Sequence, residues 1–118
     1  MSKPVLYLTR QALRMLLDIH TRSIKQWGEA TADRYVADLY AVMNKVAAEP
    51  SLGNLRKQRS LPFLMVPAGK HFVVYDCIKT GVVVVTLLHQ QRDIEHIIAD
   101  MEPKFLAEIE AIKKTMKT

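Results

Sequence analysis

One hundred and eighteen residues, 49% hydrophobic and 25% charged, suffice for one domain with one core and leave no room for a second. The 17 Lys and Arg against 12 Asp and Glu give a net charge of +5, which points to an anionic partner, nucleic acid or acidic protein, without choosing between them. A lone Cys77 excludes an internal disulfide and suits a reducing compartment, and neither a signal-peptide layout nor a membrane-length apolar run is present, so a cytoplasmic protein without membrane contact is expected.

The segment PVLYLT, Pro4 to Thr9, predicts a short strand with Leu6 and Leu8 on one face and Val5 and Tyr7 on the other. Thr9 stands where a helix N-cap belongs. Beyond it Leu13, Leu16, Leu17, Ile24 and Trp27 fall on one stripe, expected to be the packed face of a first helix. Gly28 ends that helix. A second begins almost at once, with Tyr35, Leu39, Val42 and Val46 on its apolar face, and stops at Glu49 before Pro50. The short junction WGEAT makes the two an antiparallel hairpin.

A basic loop, LRKQRS, leads into three runs of strand character. LPFLMV, Leu61 to Val66, is expected to end at the turn PAG. HFVVYDCI, His71 to Ile78, is expected to end at KTG, a three-residue hairpin loop with Gly81 at positive φ. VVVVTLL completes an antiparallel meander. Plain alternation puts Val83, Val85 and Leu87 on one face and Val82, Val84 and Leu88 on the other. Both faces are apolar and the hairpin can cover one, so a second cover is required. The tail supplies a candidate: after Pro103, the residues Phe105, Ile109, Ile112 and Met116 form a helical stripe. It is expected to pack on its own domain or, in a homodimer, on a second copy. The fold class is therefore α+β: strand, helical hairpin, strand meander and terminal helix.

Several polar groups gather around the sheet. Arg59, His71, Tyr75, His89 and Arg92 together would suit metal-independent RNA cleavage, which needs a base, an acid and cations for the phosphorane. The plainer reading makes His71 and Tyr75 half-buried strand residues and Asp93 the N-cap of the last helix. Cys77, His89, Asp93 and His96 match no closed zinc pattern, and the four glycines form no phosphate loop. Cys77, inside a strand, is expected to be a buried, inert thiol. No metal or cofactor is implied.

The stretch from YLTRQALRMLLDIH through WGEAT and EPSLG, then HFVVYD and VVVVTLLHQQRDIEHII, resembles the ParE toxins of the RelE/ParE superfamily. The carrying features are the LT strand end, the WGE junction, the P-x-x-G exit and the LLHxxRD close, in the right order over roughly residues 5–99. The resemblance implies a RelE-like domain over residues 1–99, with 100–118 as a helical extension beyond the family's usual length.

It further implies the toxin of a type II toxin–antitoxin system, a device of plasmid stabilisation, neutralised by a ParD-like antitoxin with an acidic tail. ParE toxins characteristically inhibit DNA gyrase. DNA itself would be reached only through the antitoxin. Leu13, Leu17, Trp27, Tyr35 and Leu39 on the hairpin are the expected antitoxin contacts, and His89, Arg92 and Asp93 the expected target contacts. The RelE branch instead cuts ribosome-bound mRNA, using basic residues with a tyrosine or histidine near the chain end. Here the tail reads DIEHIIADM, without a tyrosine and with His96 as the only stand-in, which leaves the acid–base set incomplete and favours the ParE branch and a non-catalytic inhibitor.

Overall fold

The computed structural model describes residues 4–55, 63–90 and 94–115. A short strand β1 (Val5–Leu8) leads into α1 (Arg10–Trp27) and α2 (Glu29–Ala48). A single 3-10 turn at Pro50–Leu52 precedes β2 (Asn54–Leu55), and β3 (Leu64–Ala68), β4 (His71–Ile78) and β5 (Gly81–His89) follow. The chain closes on α3 (Ile94–Thr115). The strands form one five-stranded sheet in the order β1-β5-β4-β3-β2. Only β1 runs parallel to its neighbour, β5, and the other pairings are antiparallel.

The α1 N-cap is Thr9, as its position implies: its hydroxyl accepts from the Ala12 N–H at 3.1 Å. The same hydroxyl donates to the Val85 carbonyl at 2.5 Å, and the Thr9 N–H to the Val84 carbonyl at 3.0 Å. The helix start is thereby tied to the middle of β5. Gly28, at φ 93°, both ends α1, through an N–H bond to the Ile24 carbonyl, and precedes α2 directly. With one residue between them, the helices fold back on each other and pack as a hairpin.

Strand β5 departs from simple alternation. Val84 pairs with Tyr75 and Thr86 with Val74, so Val85 is an extra residue facing no partner on β4. This bulge inverts the faces that follow it. Val82, Val84 and Leu87 join the core beneath the hairpin, while Val83, Val85 and Leu88 join the core on the opposite face. The expected placements of Leu87 and Leu88 are thus exchanged, because period-two reading cannot see an inserted residue.

Two turns also differ from expectation. Strand β3 continues through Pro67 to Ala68, and the turn is Gly69–Lys70. Among the described residues β2 pairs with Leu64 and Met65 only, which leaves Pro67 at the sheet edge, where it is tolerated. The second hairpin turns on Lys79–Thr80 alone, with Gly81 already paired to Ile78 and Val5. Gly81 has no positive φ among the described glycines. It is required because a Cβ there would collide with the β1 backbone at Val5.

Helix α3 covers the second face of the sheet. Ile109, 2% exposed, packs with Phe63, Met65, Val74 and Val85, and Ile112 sits beside them. Glu108 accepts from the Arg10 N–H at 2.8 Å, placing a carboxylate at the α1 N-terminus, where the helix dipole favours it. Lys113 approaches Asp76 of β4 at 3.9 Å. The helix runs through Pro103 without a break, so the division expected after residue 99 falls inside it. The Phe105 side chain and Met116 lie outside the described residues.

Ile109→Ala should lower the unfolding free energy by about 2–3 kcal/mol, since it empties a buried site at the α3–sheet contact. Leu106→Ala on the same helix, at a position 41% exposed, should cost under about 0.5 kcal/mol. Urea titrations of both variants check the difference.

Candidate functional site

Helix α1 presents two apolar stripes, and the richer one faces outward. Ala12, Leu16, Ile19 and Ser23 are buried against the sheet. Leu13, Leu17, Ile24 and Trp27, expected to be packed, lie about 90° round the helix and are exposed. The reason is close approach: small Ala12 and Ser23 let α1 settle onto a β5 surface already filled by valines.

Between the outer stripe and α2 lies an apolar groove of about 460 Å³, lined by Leu13, Leu17, Val36 and Tyr40 with Leu16 at its base. Leu13 is 48% and Leu17 69% exposed. His20 also lines it and is bound to Asp33 of α2, Nε2 to Oδ1, at 2.7 Å. A channel between two antiparallel helices, with large apolar groups on both banks, fits an amphipathic helix or an extended apolar segment. Val36 and Tyr40 were not among the expected contacts, although their i, i+4 spacing on α2 marks them as neighbours. Leu39 was expected here, but at 1% exposure it belongs to the core under α1. Its helical phase points it at the sheet.

A second concavity, about 610 Å³, opens where the C-terminal half of α1 and the start of α2 meet the ends of β4 and β5. Met15, Ile19 and Leu88 are apolar parts of its lining; Asp18, Arg22, Trp27 and Lys70 add polar and aromatic groups. Tyr35 is the pivot. Its oxygen accepts from the Lys70 N–H at 3.0 Å and lies 2.6 Å from His71 Nδ1. The His71 and His89 rings meet edge to face, centroids 5.2 Å apart. Burial, then the neighbouring His89, lowers the His71 pKa from 6.5 to about 4, so the ring is neutral at physiological pH. Burial raises the Tyr35 phenol pKa, partly offset by the Lys70 N–H.

The expected cleavage set is only partly assembled. His71 and His89 are together, but Tyr75 is elsewhere on β4 and fully buried. Its phenol donates to the Pro50 carbonyl at 2.5 Å and accepts from the Gly53 N–H at 2.7 Å. Both capacities are used in fixing the α2–β2 connection, and burial raises its pKa. Tyr75 is a structural staple, not an acid or base. Arg59, Arg92 and Asp93 lie outside the described residues. Cys77 is exposed, not buried, and its thiol pKa is raised by desolvation and Asp76, against an opposing effect of Lys113.

A helical hairpin on one face of a mainly antiparallel sheet, with strand β1 entering parallel to β5, is the RelE-like architecture. The same fold occurs in a solved structure described as the chromosomal ParDE TA system from P. aeruginosa, at TM-score 0.64 and 13% identity, covering 74% of this chain and 96% of that one. The family model for the ParE toxin of the type II toxin–antitoxin system parDE matches residues 6–94. A Caulobacter vibrioides protein named Toxin ParE1 is 30% identical over 86 residues, 73% of this chain and 88% of the relative. Toxin ParE1 of Mycobacterium tuberculosis H37Rv is 27% identical over 89 residues, 75% and 91% of the two chains. The chain belongs to the ParE toxin family of type II toxin–antitoxin systems. The family match ends at the first residue of α3. Among the described residues, no helix is long and apolar enough to cross a membrane.

Two outcomes test the polar geometry. Tyr75→Phe should cost about 1–3 kcal/mol of stability, because the Gly53 N–H loses its partner in a buried setting, and chemical denaturation reads it. The lowered His71 pKa means that the unfolded chain binds the extra proton between pH 6.5 and about 4. His71's contribution is therefore complete above pH 6.5 and declines as pH falls towards 4. Over that window wild type should lose more stability than His71→Gln, measured as denaturation midpoints against pH.

Proposed function

We propose that this protein is a toxin that acts by binding DNA gyrase and blocking replication in the cytoplasm, and that a ParD-like antitoxin with an acidic tail holds it inactive. The observation that carries the antitoxin half is the open groove of Leu13, Leu17, Val36 and Tyr40. An apolar surface of this kind on a small toxin is suited to a partner that arrives as an amphipathic segment. The net charge of +5 supplies long-range attraction for an acidic chain, and the groove supplies affinity after contact. Trp27, 46% exposed beyond the groove, would extend the contact along α1. DNA is reached only through the antitoxin.

The gyrase half rests on membership of the ParE family and, among the described residues, on the separation of Tyr75 from His71 and His89. With Tyr75 committed to Pro50 and Gly53, cleavage of ribosome-bound mRNA has less support than inhibition by binding.

Purified toxin should inhibit gyrase supercoiling and leave ribosome-bound mRNA intact. Codon-specific mRNA cuts that vanish in His89→Ala would replace this reading with the interferase one. Leu17→Asp should preserve the fold, its side chain being 69% exposed, yet weaken antitoxin binding by at least about thirtyfold. Calorimetric titration with the antitoxin encoded beside the toxin gene measures it.

A further inference from the structure

The concavity between the hairpin and the strand ends shares no lining residue with the apolar groove. We propose that it binds a ribonucleotide: base on the Trp27 indole, ribose hydroxyls on Asp18, phosphate between Arg22 and Lys70. Its volume of about 610 Å³ is that of a small-ligand site and has room for one nucleotide.

Each group has a chemical counterpart. Trp27 is a large π surface left 46% exposed, and the Lys70 ammonium already lies 5.0 Å from its ring centroid. The ammonium stands over the ring, so a stacking base would displace it towards the phosphate. Arg22 supplies a planar fork for phosphate oxygens, one helical turn after Asp18. Asp18, a carboxylate among cations, would repel a bare anion but accepts hydrogen bonds from a vicinal diol.

The hydrogen-bond chain behind the cleft positions the His71 ring. The Tyr35 oxygen accepts from Lys70 N–H and is hydrogen-bonded to His71 Nδ1, 2.6 Å away.

Trp27 is the chain's only tryptophan, so its fluorescence reports the cleft directly. Titration with 5′-AMP should give saturable quenching in the micromolar to low millimolar range. Adenosine and 2′-deoxy-AMP should bind more weakly, and inorganic phosphate should compete without quenching. Arg22→Glu and Lys70→Glu should each weaken binding by at least about tenfold. Lys45→Glu, remote on α2, should not. Asp18→Asn should reduce the preference for AMP over its 2′-deoxy form. Tighter binding of a short oligoadenylate would assign the ligand to an RNA strand, and equal binding to the free nucleotide. No saturable quenching, equal binding of adenosine and AMP, or an equal loss in Lys45→Glu would overturn the proposal. Leu17→Asp should leave it untouched, which separates this site from the antitoxin groove.

Discussion

Strand β5 must be covered on both faces, and the arrangement of every other layer follows from that demand. From Gly81 to Leu88 each residue is buried, and it lies between β1 and β4 in the sheet. Eight residues without an exposed side chain leave no solvent face, so both helix layers are obligatory. The hairpin fills one side through Leu16, Ile19, Leu39 and Met43, and α3 fills the other through Ile109. The bulge at Val85 lets one strand serve both layers. It turns Leu87 towards the hairpin and Leu88 towards the opposite core, while the Val85 carbonyl accepts the hydroxyl of the α1 cap. Sheet irregularity and helix start are one feature.

The exposed groove is a consequence of how α1 satisfies that demand. A surface of packed valines is best met at short range, and α1 meets it with Ala12 and Ser23 beside two larger residues. Its leucines at 13 and 17 are then turned aside, where α2 adds Val36 and Tyr40. Burying them against the sheet would have closed the core more thoroughly and removed the surface a partner can use. Their exposure costs stability in the free protein and is offset only in a complex.

Two tyrosines show how neighbours set a side chain's role. Tyr75 and Tyr35 look alike in a strand-and-helix pattern, yet one locks the exit of α2 and the other orients a histidine at the mouth of a cleft. The difference is set by neighbours. Tyr75 finds a carbonyl and an N–H of the same connection, whereas Tyr35 finds the turn Gly69–Lys70 and the ring of His71. Only the second arrangement lines the cleft.

Periodicity, caps and composition were enough, without coordinates, for the element order, the Thr9 cap, the helical hairpin, the two apolar faces of β5 and the need for a second cover, with the tail as a candidate. These are properties of local backbone chemistry and of burial demand, which are written residue by residue. The motif series likewise sufficed for the family. Tertiary structure alone decided which stripe of α1 packs, because the choice depends on the surface it meets and not on its own hydrophobicity. It decided the exchange of Leu87 and Leu88, since a bulge is created by register with β4, and the role of Gly81, which answers to a β1 backbone far away in sequence. It placed Leu39 in the core, and it separated Tyr75 from the histidines while drawing Tyr35 towards them. Those outcomes rest on contacts between distant segments, where distance in the chain carries no information about distance in space.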